Sequence, residues 1–500
     1  MSAFFEEILC PLTENIRMFS ERNAFYIGNT GYTYRQFSER VSAIRSFVHR
    51  ADDNETIWAI AIHDDLDTYA AIFALWMEGK AYVPLHPNQP LERNLGILEQ
   101  VGLSYLLDSE SKSKFVGTKE GLAVVATGSL DYACDFIDDW KETDDEELAY
   151  ILFTSGSTGI PKGVCLSRKN IATFMNSFWK TGICINETDR CLQAFDLTFD
   201  VSVQSFLVAL TRGECLYTIP YGQVKYLHVA SLIQQKGITF GAMAPSMLTY
   251  LRPYFDELDA SSMKACILTA EACPIDLMEA WFDCAKNTEI YDFYGPTEAT
   301  IYCTYYHLTR GEKNLSLNGI VSIGKPLANV KAIIIREDGS MVSGQEKGEL
   351  CVSGNQVTSG YWKNQEKNKV SFFTKDGFRY YHTGDLCYWD LSGNIMYSGR
   401  IDQQAKIQGF RVELGEIEYH AREFFHRQRR VVAIAFQNND NLTEIALFVE
   451  SEPVDTKLLL DYLRSKMPAY MMPNKVLFEA QFPLNRSEKI DRNVLKQQLK

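Results

Sequence analysis

Residues Leu148–Val164 constrain this chain more than any other stretch. The run Leu148-Ala149-Tyr150-Ile151-Leu152-Phe153 is apolar and strand-like. It breaks into Thr154-Ser155-Gly156-Ser157-Thr158-Gly159 and closes on Ile160-Pro161-Lys162-Gly163. Glycines let backbone N–H groups approach an anion closely, and hydroxyls add donors. Lys162 adds a mobile point charge. The loop at 154–163 is therefore suited to gripping a polyphosphate. It is not a Walker A loop, because Gly163 stands where that motif needs the Ser or Thr that holds magnesium.

Strand-like runs (Thr56–Ile62, Ala149–Thr154, Lys331–Ile335) alternate with helical patterns (Leu66–Glu78, Ile171–Lys180), which predicts parallel sheets covered by helices. From about Val321 short strands separated by Gly, Asn and Asp take over, as in Glu349–Ser353 and Asn394–Tyr397. They predict a more antiparallel, barrel-like part over about 321–398. After the polar stretch Gly399–Gln404 comes a compact α+β pattern: strand Ala405–Ile407, a loop at Gly409, helix Leu414–Phe425, strands Val431–Phe436 and Thr443–Val449, and helix Asp455–Lys466. Five hundred residues require more than one core. A net charge of −14 argues against an electrostatic grip on nucleic acid or on an anionic membrane. No apolar run has the length of a membrane span. The twelve cysteines show no CxxC pair and no metal-type spacing. Most, such as Cys165 and Cys351, sit in apolar runs and read as small core residues, a usage suited to a reducing cytoplasm.

The loop and a series of collinear motifs resemble the adenylate-forming superfamily. The series runs Tyr32–Phe37, Gly79–Leu85, the loop, Phe199–Val203, Tyr294–Thr300, Gly348–Val352, Tyr381–Leu386, Gly399–Gln403, Pro468–Pro473 and Lys489–Arg492. Each string is weak alone, and their shared order is specific. Within the superfamily the chain is similar to the amino-acid-adenylating branch, especially free-standing members such as D-alanine–carrier protein ligases. The resemblance implies an α/β fold. Residues 1–401 would be a large N-terminal domain of two αβ sheet subdomains plus the barrel-like part. Residues 402–500 would be a small mobile α+β lid, hinged at Asp402. It further implies ATP and Mg²⁺, an amino-acid substrate, a separate carrier protein that supplies a phosphopantetheine thiol, and a monomer. The chain stops eleven residues after Lys489 and contains no carrier-type attachment region, so a free-standing enzyme is expected.

Activating a carboxylate with ATP brings two anions together, so the site must supply cations and donors. Thr154, Ser155, Gly156, Ser157, Thr158, Gly159 and Lys162 suit the phosphates. Glu298, in Tyr294-Gly295-Pro296-Thr297-Glu298, is the expected magnesium ligand. Asp385 fits a grip on the ribose hydroxyls, with Arg400 as second partner. Tyr294 and Tyr397 are expected against the adenine, with Gly295 and Thr297 alongside. Asp292 stands where the family usually has Asn, and its carboxylate can still accept a hydrogen bond from the adenine amino group. Lys489 matches the lysine that bridges the substrate carboxylate and the α-phosphate. Lys406 and Gly409 match the segment that lines the thiol tunnel after the lid rotates. Asp200, in Phe-Asp-x-Ser, would hold the substrate's α-ammonium. Val201, Gln204, Ala242, Ile267, Thr269, Phe293, Ile301 and Tyr302 would be the other walls. They carry no charge, which favours a small or medium neutral amino acid. An acyl-CoA or aryl-CoA synthetase and a catalytically silent nucleotide-binding relative are the rival readings.

Overall fold

The computed structural model describes every residue except 1, 52–53, 132–135, 157–158, 221, 343, 403, 485–489 and 500. Its residues form two compact units. One comprises 1–87, 98–152 and 163–401, and the other 88–97, 153–162 and 402–500. The loop at 154–163 thus belongs, but for Gly163, to the unit that contains the C-terminal segment.

The larger unit is built on two mainly parallel sheets. The nine-stranded sheet runs from Lys325–Pro326 through Thr304–Leu308, Glu289–Tyr294, Ala265–Leu268, Phe240–Met243, Arg190–Gln193, Cys215–Thr218 and Asn23–Ile27 to Thr30–Thr33. The seven-stranded sheet runs from Gly360–Tyr361 through Lys162–Ser167, Leu148–Thr154, Ala81–Leu85, Ile57–Ala61 and Tyr105–Asp108 to Ala123–Ala126. Strands buried on both faces read as continuous apolar runs, which is why Ile57–Ala61 and Ala81–Leu85 carry almost no polar residue. A third, antiparallel sheet joins Val330–Ile335, Gly348–Gly354, Phe378–Trp389 and Phe372–Lys375, and Ile395–Arg400 pairs along Phe378–Trp389. Among the described residues, the part expected to be barrel-like is a five-stranded antiparallel sheet with one side branch.

Two of the motifs have a purely local explanation. Thr33 and Gln36 form a capping box, Gln36 N donating to Thr33 Oγ1 (3.2 Å) and Thr33 N to Gln36 Oε1 (2.9 Å), and this starts helix Tyr34–Arg50. Gly79 takes φ +72° just past helix Leu66–Met77, and Lys80 N bonds back to Leu75 O at 2.8 Å, which turns the chain into strand Ala81–Leu85.

In the smaller unit, Val431–Gln437 and Thr443–Glu450 pair antiparallel, and Lys475–Glu479 adds in parallel beside the second strand. Helices Leu414–Phe424 and Thr456–Lys466 contribute Ile417, Ala421, Leu459 and Leu463 to its core. No helix of the described residues is long and apolar enough to cross a membrane.

A buried ion pair locks the larger unit. Arg40 Nε and Nη2 donate to the two Asp67 oxygens at 2.7 and 2.8 Å, and the guanidinium also donates to the carbonyls of Leu130 and Thr127. Arg40→Ala leaves Asp67 and two carbonyls without that donor, so it is expected to cost roughly 3–5 kcal/mol. The check is the fall in urea midpoint, with the exposed pair residue Arg252→Ala as a near-neutral comparison.

Candidate active site

Strand Glu289–Tyr294 delivers Asp292, Phe293 and Tyr294, and the turn after it delivers Thr297 and Glu298. The turn is tight. A Cβ on Gly295 would lie 2.5 Å from Ile301 O and 2.6 Å from Tyr302 Cα, so no other residue fits without movement. Beyond it Thr300 and Ile301 take φ of +58° and +70°, the left-handed region that β-branched residues avoid. Such strain persists only where the surroundings impose it. Here the fold aims Ile301 N at Asp200 Oδ2, 3.2 Å away.

Asp200 is the first residue of helix Asp200–Leu210, whose N-cap position is Phe199. Burial raises its carboxyl to about 6, against the opposing pull of hydrogen bonds from Thr297 and Ile301. The residues expected as walls, Val201, Gln204, Ala242, Ile267, Thr269, Phe293, Ile301 and Tyr302, are all buried. Tyr302 OH meets Gln204 Oε1 at 3.3 Å and its ring lies 4.9 Å from that of Phe293. The Gln204 amide nitrogen and the Tyr82 and Tyr150 hydroxyls are buried with no hydrogen-bond partner among the described residues. Burial first, and the Asp200 charge second, push both of those phenols upward. Tyr82 and Tyr150 belong to motifs visible in the sequence, but nothing in the sequence assigns either one to the neighbourhood of Asp200. They sit on strands far apart in the chain, so only the sheet order brings them to Asp200.

Glu298 is fully buried, and Tyr361 OH donates to its Oε1 at 2.7 Å. A buried, acceptor-only carboxylate already held by a donor fits a hard divalent cation. Asp385 and Arg400 face each other across paired strands, and Arg400 Nη1 donates to Asp385 Oδ1 at 2.9 Å. The Tyr294 hydroxyl donates to the other Asp385 oxygen. Tyr294 therefore orients the carboxylate, in addition to any role of its ring. Asp292 is buried, and Tyr397 is partly buried on the strand Ile395–Arg400.

In the smaller unit two carboxylates bond to the loop. Lys162 Nζ lies 2.8 Å from Glu413 Oε1, and Gly156 N donates to Glu416 Oε2 at 3.0 Å. Arg93 Nη1 holds the other Glu416 oxygen at 2.5 Å. Ser155 Oγ donates to Arg411 O and accepts from Glu413 N, both at 3.0 Å. Thr154 Oγ1 lies 3.5 Å from Lys162 O. A Cβ on Gly156 would stand 2.0 Å from Ile160 O, and one on Gly159 would stand 2.5 Å from the Tyr419 ring. Lys162 Nζ and Gly156 N thus face carboxylate oxygens. Gln408 and Gly409, at φ +49° and +84°, make the two-residue turn between Gln404–Ile407, which carries Lys406, and Phe410–Glu413. Asp402 Oδ1 accepts from Gln404 N at 3.1 Å. Ser157, Thr158 and Lys489 lie outside the described residues.

The tight turn yields a prediction. Gly295→Ala should cost roughly 1–3 kcal/mol, the range for forced overpacking. Gly96→Ala, where an added Cβ meets nothing within 4 Å, should instead be neutral or stabilising. Thermal midpoints of the two variants decide this, and an equal response of both would defeat the packing argument.

Residues 12–362 match the family model described as AMP-binding enzyme. Over 490 residues the chain is 29% identical to tyrocidine synthase 1 of Brevibacillus parabrevis, a match that covers 96% of this chain and 44% of that protein. It is also 29% identical over 508 residues to gramicidin S synthase 1 of Brevibacillus brevis, covering 98% of this chain and 44% of that one. The chain thus spans less than half the length of either relative. Among solved structures it superposes on the Vibrio cholerae adenylation domain AlmE with a TM-score of 0.87 at 23% identity, over 98% of this chain and 97% of that one. It superposes on the fused adenylation–carrier protein NpsA-ThdA of Klebsiella oxytoca at 0.82 and 24%, over 94% and 93%. These likenesses at low identity concern the fold. With the family match over most of its length, the chain belongs to the AMP-binding enzymes of the adenylate-forming superfamily.

Proposed function

We propose that this chain activates an amino acid with ATP as the aminoacyl adenylate, releases pyrophosphate, and passes the acyl group to the phosphopantetheine thiol of a separate carrier protein. The observation that carries the reading is Asp200, a buried carboxylate that accepts from the backbone N–H of Ile301 in the strained turn just after Glu298. A substrate α-ammonium is the charge that such a group lacks. Fatty and aryl acids have none, which disfavours the acyl-CoA and aryl-CoA synthetase reading. Retention of Lys162, Glu298, Asp385 and Arg400 disfavours a silent relative. The AlmE structure contains glycyl-adenosine-5'-phosphate, an adenylate of this kind, and NpsA-ThdA is an artificial fusion of an adenylation domain to a carrier domain. We assign the chain to the cytoplasm, as a monomer.

In this reading Asp200 holds the ammonium and so fixes the substrate carboxylate. The Gln204 amide is positioned to meet a polar substrate atom. Asp385, oriented by Tyr294 and Arg400, accepts from the ribose hydroxyls. Lys162 and Gly156 N, which bind carboxylates here, take the phosphate oxygens. Glu298 would hold magnesium, which when bound offsets the phosphate charge. Lys489 bridges the two reacting anions. The segment after Asp402 rotates so that Lys406 and Gly409 serve thioester formation.

Pyrophosphate exchange should depend on an amino acid and on magnesium. Exchange supported only by fatty or aryl acids would remove the reading. Asp200→Ala should cost roughly 2–5 kcal/mol in amino-acid selection. The sign of the pH effect follows from the raised carboxyl. Ionised Asp200 costs folding stability that is fully felt above about 6 and vanishes below the ordinary carboxylate range. The ammonium needs the ionised form. The KM for the amino acid should therefore rise by roughly tenfold per pH unit below about 6, and this slope should be absent in Asp200→Asn.

The two half-reactions should also separate. Lys489→Ala should cripple adenylation and spare transfer from a supplied adenylate. Gly409→Val should do the reverse, with Gly409→Asn, which tolerates the left-handed turn, as the milder control. Asp402→Pro fixes φ and should harm one step far more than the other. Single-turnover kinetics of each step provide the measurement, and equal losses in both steps for all variants would defeat the rotating-lid assignment.

A further inference from the structure

A second set of chemically matched side chains lies in the antiparallel sheet. Strands Gly348–Gly354 and Phe378–Trp389 pair with Cys351 opposite His382 and Glu349 opposite Leu386. The register shift between them leaves Thr383, Gly384 and Asp385 facing Leu350 alone. This bulge folds the chain so that Glu349 and Cys351, two apart on one strand face, meet the His382 ring. One ligand atom from each lies within 4.8 Å of the other two. His382 Nδ1 is 2.8 Å from Glu349 Oε2 and 3.7 Å from Cys351 Sγ.

We propose that Glu349, Cys351 and His382 form a binding site for a divalent transition-metal ion of the zinc class. Three points carry this. The set mixes sulfur, imidazole nitrogen and carboxylate oxygen, the donors that Zn²⁺ takes. Thiol and carboxylate converge on the same imidazole nitrogen. A nucleophilic relay needs the thiol on one ring nitrogen and the acid on the other, so the arrangement is built around a common point. The 3.7 Å between sulfur and nitrogen is close to the roughly 3.5 Å that separates S and N ligands on one tetrahedral zinc.

The surroundings support these donors. Gly384 N donates to Glu349 Oε1 at 3.0 Å, which leaves Oε2 as the oxygen turned to the ring. The Phe373 ring lies 4.5 Å from the His382 ring and limits its rotation. Such outer contacts hold ligands in their binding orientation. Cys351 is buried, while the His382 and Glu349 side chains are 30% and 21% exposed. They give the ion a route in and leave a fourth position for water. Binding as thiolate releases the Cys351 proton to solvent. The site is distinct from Glu298. It is nevertheless linked to the nucleotide residues, because the same bulge that creates it carries Asp385.

The experiment uses the whole chain, stripped with EDTA and titrated with Co²⁺. One equivalent should give a thiolate-to-cobalt charge-transfer band with strong tetrahedral ligand-field absorption, and Zn²⁺ should abolish both. Cys351→Ser should lose the charge-transfer band. Cys351→Ser and His382→Gln should each weaken binding by more than the roughly 10–100-fold that loss of an outer-shell partner costs. Cys184→Ser, at an exposed cysteine elsewhere, should change nothing. A band and affinity that survive in Cys351→Ser or His382→Gln would overturn the proposal. Where those variants do not fold, the unaltered chain still decides: weak octahedral absorption with no charge-transfer band overturns it equally.

Discussion

Buried carboxylates govern this molecule's chemistry. Asp200, Asp292, Glu298 and Asp385 are all between 0 and 6% exposed. A carboxylate away from water is costly until donors or cations surround it. The local architecture answers that cost case by case. Asp385 receives a guanidinium and a phenol, Glu298 receives a phenol, and Asp200 receives the N–H of a strained peptide. The tight Gly295 turn, the sheet bulge before Asp385 and the Asp385–Arg400 register are the means by which these donors arrive. In the proposed reading these carboxylates meet an ammonium, a hard metal ion and sugar hydroxyls.

The smaller unit shows the mirror image of the same physics. There the loop groups are cationic or donors, and Glu413 and Glu416 satisfy them. The two acids lie three residues apart around the start of helix Leu414–Phe424. The hairpin that ends at Glu413 and the helix that carries Glu416 are therefore fastened to the loop by charge-assisted hydrogen bonds.

Some of this was legible in the sequence, because it is local. A loop of glycines and hydroxyls after an apolar run suggests anion binding or a plain surface loop, and its place in a series of ordered motifs favours the first; Thr33–Gln36 or Gly79 announce helix ends by themselves. The C-terminal strands and helices matched their patterns closely, since alternation and amphipathic spacing act within a few residues. Strand Lys475–Glu479 was not foreseen. It is short, and its parallel partner lies far back in the chain. The same reason hides Tyr82 and Tyr150 near Asp200, Tyr361 on Glu298, and Glu413 and Glu416 on the loop. Cys351 read as a core residue, and it is buried. Its companions come from strand register, and no spacing of Cys and His along the chain encodes them.

Ile301 joins two tasks in one residue. Its side chain is a wall of the proposed substrate site, and its backbone N–H, held at positive φ, is a donor to Asp200 itself. Any exchange of side chain there also resets the backbone strain that aims the donor. Under the proposed amino-acid reading, selectivity and anchoring vary together at this position. In that reading a lineage that altered its preferred substrate through residue 301 would move in coupled jumps, whereas Ala242 or Ile267, set in regular strands, would leave room for gradual change.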